Sequence, residues 1–390
     1  MDKLYSGSFK LVVSSQYFIY FGVLGIFLPY FNLYCYRLGF SGFQIGVLSA
    51  LRTAATVLFP LFWGTLADRF QIRRPIYIFC NFISTGIWAF YLYTSDFWIM
   101  LVITILYGTF YAPIISFLEA FTMDVLAGDK KSYGRIRGWG SMSFILVVIV
   151  VGKVIDLYSV DVILVLILVG SLVQAVISTN IPDIKIEKQK LTKTGAQFLL
   201  KIQVIVFLFC TFLMLVSHGA YYGFFSIHLE NLGYGSTFIG LAWAVAVISE
   251  ILVMVQSKEI FKRFSLENVL VFSFIMAAFR WFTLFFTTSP VIILLIQITH
   301  AITYGTFHIA SILYIDSLSP DEAKTLGQAV NNAVTYGLGI MIGFFMSGYL
   351  YESTGSFVLF GISGLIALAG GVLLKGFQVT DRRRPERGLV

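Results

Sequence analysis

Long apolar runs separated by short polar stretches dominate this sequence. Six runs fill the first part of the chain and six the second, with a polar stretch from Pro182 to about Lys201 between them. A membrane-spanning helix needs about 20 apolar residues, whereas a spanning strand needs about 10 residues of alternating polarity. These runs are too long for such strands and do not alternate, so they predict membrane-spanning helices. The runs lie at about 11–36, 43–66, 75–94, 97–123, 138–155, 161–181, 202–229, 236–256, 266–288, 290–315, 327–351 and 356–377.

The composition also fits a protein that lipid surrounds. Hydrophobic residues make up 58% of the 390 residues and charged residues 12%, against about 45–50% and about 25% in soluble domains. Cys35, Cys80 and Cys210 lie far apart in apolar stretches, which predicts neither a disulfide framework nor a metal site. The sequence contains no ATP-binding loop, catalytic triad or CxxC pair. We therefore expect neither an enzyme nor an ATP-driven pump, and no catalytic residue or cofactor.

Positive charges are distributed unevenly among the polar segments. If both termini lie on the inner side, the outer segments carry only Arg37 and Lys153, and the inner segments carry the other lysines and arginines that lie outside the apolar runs. This asymmetry is the positive-inside pattern. It predicts a multi-pass protein of the cell (inner) membrane with cytoplasmic termini. It also accounts for the net charge of +7 without a nucleic-acid partner.

Two short motifs occur twice in the chain. LGFS at 38–41 recurs as LGYG at 232–235, and YGTF at 107–110 recurs at 304–307, with offsets of 194 and 197 residues. Two matches in register indicate related halves, and repeats of this kind place a binding site at the repeat interface. We predict an N-terminal bundle at 1–181, a cytoplasmic linker at 182–201, a C-terminal bundle at 202–378 and a basic cytoplasmic tail at 379–390.

The loop between the second and third runs resembles a known signature. It reads GTLADRF at 64–70, with two arginines at 73–74, and is similar to the signature loop of the major facilitator superfamily. Glycine permits close helix approach, the aspartate can face a helix N-terminus, and the arginines can reach lipid headgroups. The resemblance implies an all-α fold of twelve transmembrane helices in two pseudo-symmetric six-helix bundles. It also implies gating roles for Gly64, Asp68, Arg69 and Arg73.

A closer resemblance covers most of the chain. Residues 118–121 and 133–140 are similar to the span four to five region of the lactose permease group. Residues 300–308 and 336–339 are similar to the phenylpropionate permease subgroup, a related branch of proton-coupled permeases. The resemblance implies a substrate site that contains Glu119, Arg137, Phe144 and His300.

The same resemblance implies a proton-coupling cluster with one departure. Arg280 and His300 fall on an arginine and a histidine of the family's cluster, and Glu250 falls near its glutamate. Thr303 replaces the family's proton-carrying glutamate, so the proton path must differ. His300 and His308 lie eight residues apart with Tyr304 between them, which places the three side chains along one side of a helix and permits a relay.

Ionisable residues within spans are costly and usually functional. Pairs that only lock helices together remain an alternative for several of them, and for Arg52 the structural and functional interpretations are evenly balanced. The ionisable residues are Arg52, Glu119, Arg137, His218, Glu250, Arg280, His300, His308 and Asp316.

These observations predict a monomeric, proton-coupled symporter of a small organic solute that works by alternating access. Its partners would be the solute, protons and the lipid bilayer. Arg137 and Phe144 together favour an aromatic or other organic acid, because a guanidinium matches a carboxylate. A sugar, oligosaccharide or nucleoside is the alternative, since Glu119 suits hydroxyl donors. A non-transporting sensor of the same fold also remains open.

Overall fold

The computed structural model describes residues 3–126, 132–183 and 196–382, and within these ranges the chain forms helices and no β-strand. Most of the predicted linker at 182–201 and of the basic tail at 379–390 lies outside them. The first six helices are α1 (Lys3–Arg37), α2 (Gly42–Phe70), α3 (Arg73–Trp88), α4 (Phe97–Leu126), α5 (Tyr133–Leu157) and α6 (Val162–Ser178). The remaining helices are α7 (Ile202–Asn231), α8 (Ser236–Arg263), α9 (Leu266–Phe286), α10 (Pro290–Gln297), α11 (Phe307–Leu318), α12 (Lys324–Asn331) and α13 (Ile340–Arg382).

The apolar runs predicted from the sequence are helical. Ten helical segments of the described chain are long and apolar enough to cross a membrane. The helix α6 is apolar but only 17 residues long. The last segment, Asp321–Thr380, is 60 residues long and is broken at Gly355, where φ is 72° and ψ is 173°. Dividing it there and including α6 accounts for all twelve runs.

The repeated turn glycines adopt the same backbone conformation in both halves. Gly39 has φ of 85° and Gly233 has φ of 86°, values that favour glycine because it has no Cβ. After each helix, the amide that follows the glycine donates to the carbonyl five residues earlier. Phe40 N–H donates to Cys35 O at 3.1 Å, and Tyr234 N–H donates to Leu229 O at 3.0 Å. This six-to-one hydrogen bond is the Schellman helix ending. The sequence repeat is therefore also a repeat of local structure.

One compact unit comprises Met1–Lys190 and Ser226–Ala244. In it, α1 packs against α4, α5 and α6, and α2 packs against α4. The start of α8 is capped by Asp156 at the end of α5. That carboxylate accepts hydrogen bonds from the backbone amides of Ser236 at 2.6 Å and Thr237 at 2.9 Å. Aligned helix amides favour a carboxylate at a helix N-terminus, so this contact fixes α8 against α5.

The other compact unit comprises Leu191–Phe225 and Val245–Val390. Its helix α9 packs against α11 and α13. Helix α7 crosses α13 backbone to backbone, since a Cβ built on Gly219 would lie very close to the carbonyl carbon of Gly343. A Cβ on Gly339 would lie 2.9 Å from Phe212 O. Gly339 and Gly343, four residues apart, therefore form a small-residue ridge on which α7 packs closely.

Two segments of this second unit are π-helical. They span Ala301–Thr306, between α10 and α11, and Asn332–Gly339, between α12 and α13. In the first, the Thr306 hydroxyl donates to Ala301 O at 2.9 Å, a spacing of five residues. Short π segments inside helices occur frequently at functional sites. The polar side chains described next flank both segments.

Candidate functional site

A fully buried arginine is the centre of a polar cluster in the second unit. Arg280 of α9 has no exposed surface. Its Nη2 donates to Gln297 Oε1 at 2.7 Å, and its Nη1 donates to His300 Nδ1 at 2.8 Å and to Thr303 Oγ1 at 3.3 Å. All three acceptors lie on α10 or directly after it. The arginine therefore ties α9 to the start of the first π segment.

The hydrogen bond from Arg280 fixes the tautomer of His300. A guanidinium only donates, so Nδ1 of the imidazole must act as the acceptor. Neutral His300 then carries its hydrogen on Nε2, which lies 3.9 Å from Glu250 Oε2 of α8. Glu250 is half-buried, with 19% of its side chain exposed. The order of groups is thus guanidinium, imidazole and carboxylate.

A glycine makes room for this carboxylate. A Cβ built on Gly305 would lie 3.1 Å from Glu250 Cγ and 3.8 Å from Glu250 Cα. Gly305 belongs to the repeated YGTF motif and to the first π segment. Its lack of a side chain therefore lets α8 bring Glu250 close to His300.

Aromatic rings surround the cluster. The Arg280 guanidinium lies over Tyr221 at 4.1 Å and over Trp281 at 4.7 Å, distances at which a cation is attracted to a ring face. Across the cluster, His300 stacks on Tyr304 with ring centroids 5.2 Å apart. These rings separate the charged groups from the surrounding helices.

The stacking of rings that begins at His300 and Tyr304 continues into α11. Tyr304 stacks on His308 at 6.2 Å, and His308 Nδ1 shares a 2.6 Å hydrogen bond with the hydroxyl of Tyr336 in the second π segment. The prediction that His300, Tyr304 and His308 share one side of the span is confirmed. Their role as a proton relay stays a prediction.

The first unit places the other predicted substrate residues on α4 and α5. Arg137 lies over the ring of Phe21 at 4.0 Å and near Glu119, with which it forms no ion pair in the described structure. Phe144 is 5% exposed and packs on α1, where a Cβ on Gly25 would lie 3.2 Å from its Cα. Arg137 and Phe144 are two helical turns apart, about 10 Å along the axis. They therefore share a face of α5 without touching.

The signature loop differs from the sequence prediction in one respect. Arg73 pairs with Asp124 of α4 at 3.2 Å and with Asp68 at 3.5 Å, and Arg69 lies 5.5 Å above the Phe70 ring. The expectation that Gly64 permits close helix approach is wrong, because a Cβ there would meet no atom within 4 Å. The Arg73 ion pairs thus hold α2, α3 and α4 together, without a contribution from close packing at Gly64.

Within the described ranges this helical chain has ionisable side chains inside its spans, which makes it a polytopic membrane protein whose buried charges mark an ion or substrate pathway. The chain belongs to the MFS_1 like family, whose model matches residues 11–362. It is therefore a secondary transporter of the major facilitator superfamily and not an enzyme.

Relatives and solved structures agree with that membership. The chain is 29% identical over 360 residues to the "probable 3-phenylpropionic acid transporter" of Escherichia coli (strain K12), covering 90% of this chain and 93% of the relative. It is 25% identical over 350 residues to the maltose permease of Geobacillus stearothermophilus, covering 88% of each. The crystal structure of the nucleoside transporter NupG matches with a TM-score of 0.82 at 19% identity, covering 96% of this chain and 100% of that one. This last likeness concerns the fold alone.

Proposed function

We propose that this protein is a proton-coupled symporter of a small organic acid, with an aromatic carboxylate as the leading substrate class. One observation carries the coupling: a half-buried carboxylate, Glu250, faces a buried histidine, His300, whose other ring nitrogen is held by a buried arginine. Ionisable groups at this depth are costly in lipid and mark ion or substrate pathways. The proton gradient supplies the energy, and no cofactor takes part.

The proton carrier cannot be the residue that the family uses. Thr303 stands at the position of that glutamate, and its hydroxyl accepts a hydrogen bond from Arg280. A threonine hydroxyl neither gains nor loses a charge near neutral pH, so it cannot carry a proton as a carboxylate does. Another group of the same cluster must therefore bind the proton.

Two groups compete for that role. Protonating His300 on Nδ1 would direct an N–H at the Arg280 guanidinium and break their 2.8 Å hydrogen bond. Protonating Glu250 neutralises its charge and leaves that hydrogen bond intact. Glu250 is therefore the first carrier, and His300 with His308 as a relay is the second.

The substrate class rests on the first unit and on the relatives. The first unit holds guanidinium groups beside aromatic rings, as where Arg137 lies over Tyr17 and Phe21, and this combination suits an aromatic carboxylate. The relative named for 3-phenylpropionic acid supports an aromatic acid. Sugars and nucleosides are the second candidate class, because Glu119 is exposed and other relatives are named for maltose and nucleosides. We place the transporter in the inner membrane as a monomer with both termini in the cytoplasm, following the positive-inside pattern.

A binding panel tests the substrate class. Purified protein in detergent is titrated with 3-phenylpropionate, maltose, sucrose and a nucleoside, and binding is measured by calorimetry. The proposal expects binding of the aromatic acid and weak or no binding of the neutral solutes. Tight binding of a sugar or nucleoside with no acid binding would reverse the order of the two classes.

Substitution of Glu250 tests the coupling. In proteoliposomes, Glu250→Gln should abolish uphill uptake driven by a pH difference and leave exchange of internal for external substrate largely intact, because exchange needs no net proton release. Glu267→Gln in the first turn of α9 is the matched control and should behave as wild type. If Glu250→Gln still accumulates substrate in response to the pH difference, Glu250 is not the carrier.

A further inference from the structure

Arg52 lies deep in the membrane-spanning part of the first unit. It is the eleventh residue of α2, so it lies about 15 Å along the helix from its start, at a rise of 1.5 Å per residue. That is about half the thickness of a bilayer's hydrocarbon core. A guanidinium remains charged at any depth because it does not lose its proton in proteins. Arg52 is therefore a permanent cation in a region where cations are costly.

Arg52 differs from the other two arginines in helix interiors by its partners. Arg280 has three hydrogen-bond acceptors, and Arg137 lies near the Glu119 carboxylate. No residue in the described ranges forms a hydrogen bond or ion pair with Arg52. Its guanidinium lies 4.6 Å above the ring of Phe27. Its positive charge is thus offset by rings and lacks a counter-anion within the described chain.

Tyrosines complete the walls around Arg52. Tyr20, Tyr107 and Tyr111 lie near its guanidinium. Tyr111 stacks on Tyr20 at 5.4 Å and on Tyr107 at 4.8 Å. Arg52 and Tyr111 are only half-buried, whereas Tyr20 and Tyr107 are buried. The cation and one aromatic face can therefore be reached by a small molecule.

The internal repeat relates this place to the Glu250 cluster. Gly108 and Gly305 occupy the same position in the two YGTF motifs. A Cβ on Gly108 would lie 2.7 Å from Ala55 Cβ of α2, and a Cβ on Gly305 would lie 3.1 Å from Glu250 Cγ of α8. Ala55 thus corresponds to Glu250, and Arg52 lies about one turn before Ala55. The first unit carries a cation in the region where the second carries a carboxylate.

We propose that Arg52, with the rings of Phe27 and Tyr111, forms the subsite that binds the carboxylate end of the transported solute. A small aromatic monocarboxylate fits this chemistry, because its charge provides the missing counter-anion and its ring can pack against the tyrosines. The inference rests on the proposed function and deepens it. In this assignment Arg52, and not Arg137, anchors the carboxylate, because Arg137 already lies near the Glu119 carboxylate.

Pairs of an acid and its amide test whether Arg52 is the anchor, that is, the residue that binds the carboxylate of the solute. Binding of 3-phenylpropionate, hexanoate and the amide of each is measured by calorimetry on wild type, Arg52→Gln and Arg52→Lys. Losing a charge-assisted hydrogen-bond pair should weaken acid binding by about 10- to 100-fold in Arg52→Gln, with partial retention in Arg52→Lys. Amide binding should change little. Arg263→Gln, an exposed arginine at the end of α8, is the matched control and should bind as wild type does.

A measurement on the wild-type protein removes any dependence on how the variants fold. Phenylglyoxal modifies accessible guanidinium groups, and mass spectrometry reports the modified fraction of the Arg52 peptide. The acid should protect Arg52 and the amide should not. Absence of protection by an acid that binds would overturn the anchor.

The outcomes separate the two proposals. If wild type binds the aromatic acid and Arg52→Gln binds it equally well, the anchor is wrong and the proposed function stands. If wild type prefers hexanoate and loses it in Arg52→Gln, the anchor stands and the aromatic substrate class is wrong. If wild type binds only neutral compounds, both are wrong.

Discussion

A methyl group added at Gly219 would fall on the backbone of α13. Its Cβ would lie 2.5 Å from the Cα of Gly343 and from its carbonyl oxygen, and closer still to the carbonyl carbon. Ordinary carbon contacts are about 3.5–4.0 Å, so one helix must move by about 1 Å relative to the other. Backbone atoms of two crossing helices cannot give way as a side chain can.

The expected cost follows from that geometry. Overpacking of this kind typically destabilises by about 1–3 kcal/mol, and replacing a helical glycine by alanine returns about 0.5–1 kcal/mol. Gly219→Ala should therefore destabilise by about 1–2 kcal/mol. Because Gly219 lies between His218 and Tyr221, the displacement should also disturb the ring beneath Arg280 and reduce transport.

Gly223→Ala, one turn further along α7, provides the matched control. Its Cβ would meet the ring edge of Phe344 at 3.1 Å, and a ring edge can shift by a few tenths of an ångström. We expect stability within about 1 kcal/mol of wild type. The assay is thermal unfolding of purified protein in one detergent, followed by tryptophan fluorescence, with uptake measured in parallel. Equal melting temperatures for the two variants would refute the argument that the α7–α13 crossing tolerates no added atom.

Two further substitutions act on single contacts. Gly305→Ala should leave thermal stability near that of wild type, because the new methyl group displaces the Glu250 side chain and not the backbone. It should lower pH-driven uptake more than exchange. Equal losses of both activities would contradict this expectation. Asp156→Asn should lower the melting temperature by about 1–2 °C, because the charged cap on Ser236 and Thr237 is lost and caps are worth about 1 kcal/mol. An unchanged melting temperature would show that this exposed cap contributes nothing.

The sequence predicts the elements of this fold well. The period and length of the apolar runs predict the helices, and Gly39 and Gly233 mark equivalent turns because only glycine readily adopts their backbone conformation. The small-residue ridge around Gly343 also follows from spacing alone. Gly64 is a counterexample: a glycine in a motif predicts close packing, but what surrounds it depends on neighbouring helices that the local sequence does not specify.

The site is only partly visible in the sequence. The π segments are not visible in the sequence, because these spans are apolar on most sides and a one-residue shift of the apolar face does not stand out. The partners of Arg52 and Arg280 cannot be distinguished either, because both read as a single arginine in an apolar run. Only the structure shows that Arg280 has three hydrogen-bond acceptors as well as rings, whereas Arg52 lies over a ring without such acceptors in the described chain. The resemblance to known permeases indicated His300 and Glu250, but not the order of guanidinium, imidazole and carboxylate.

Proton coupling of organic acid transport is the core of the proposed function. Its most direct test is the initial rate of labelled 3-phenylpropionate uptake into proteoliposomes with an alkaline interior, compared with equal internal and external pH. Protein-free liposomes are the baseline, because the protonated acid also crosses lipid unaided. The protein-dependent rate should rise several-fold with the pH difference and fall to the rate measured without a gradient when a protonophore is added. A protein-dependent rate that is the same with and without the gradient would contradict proton coupling.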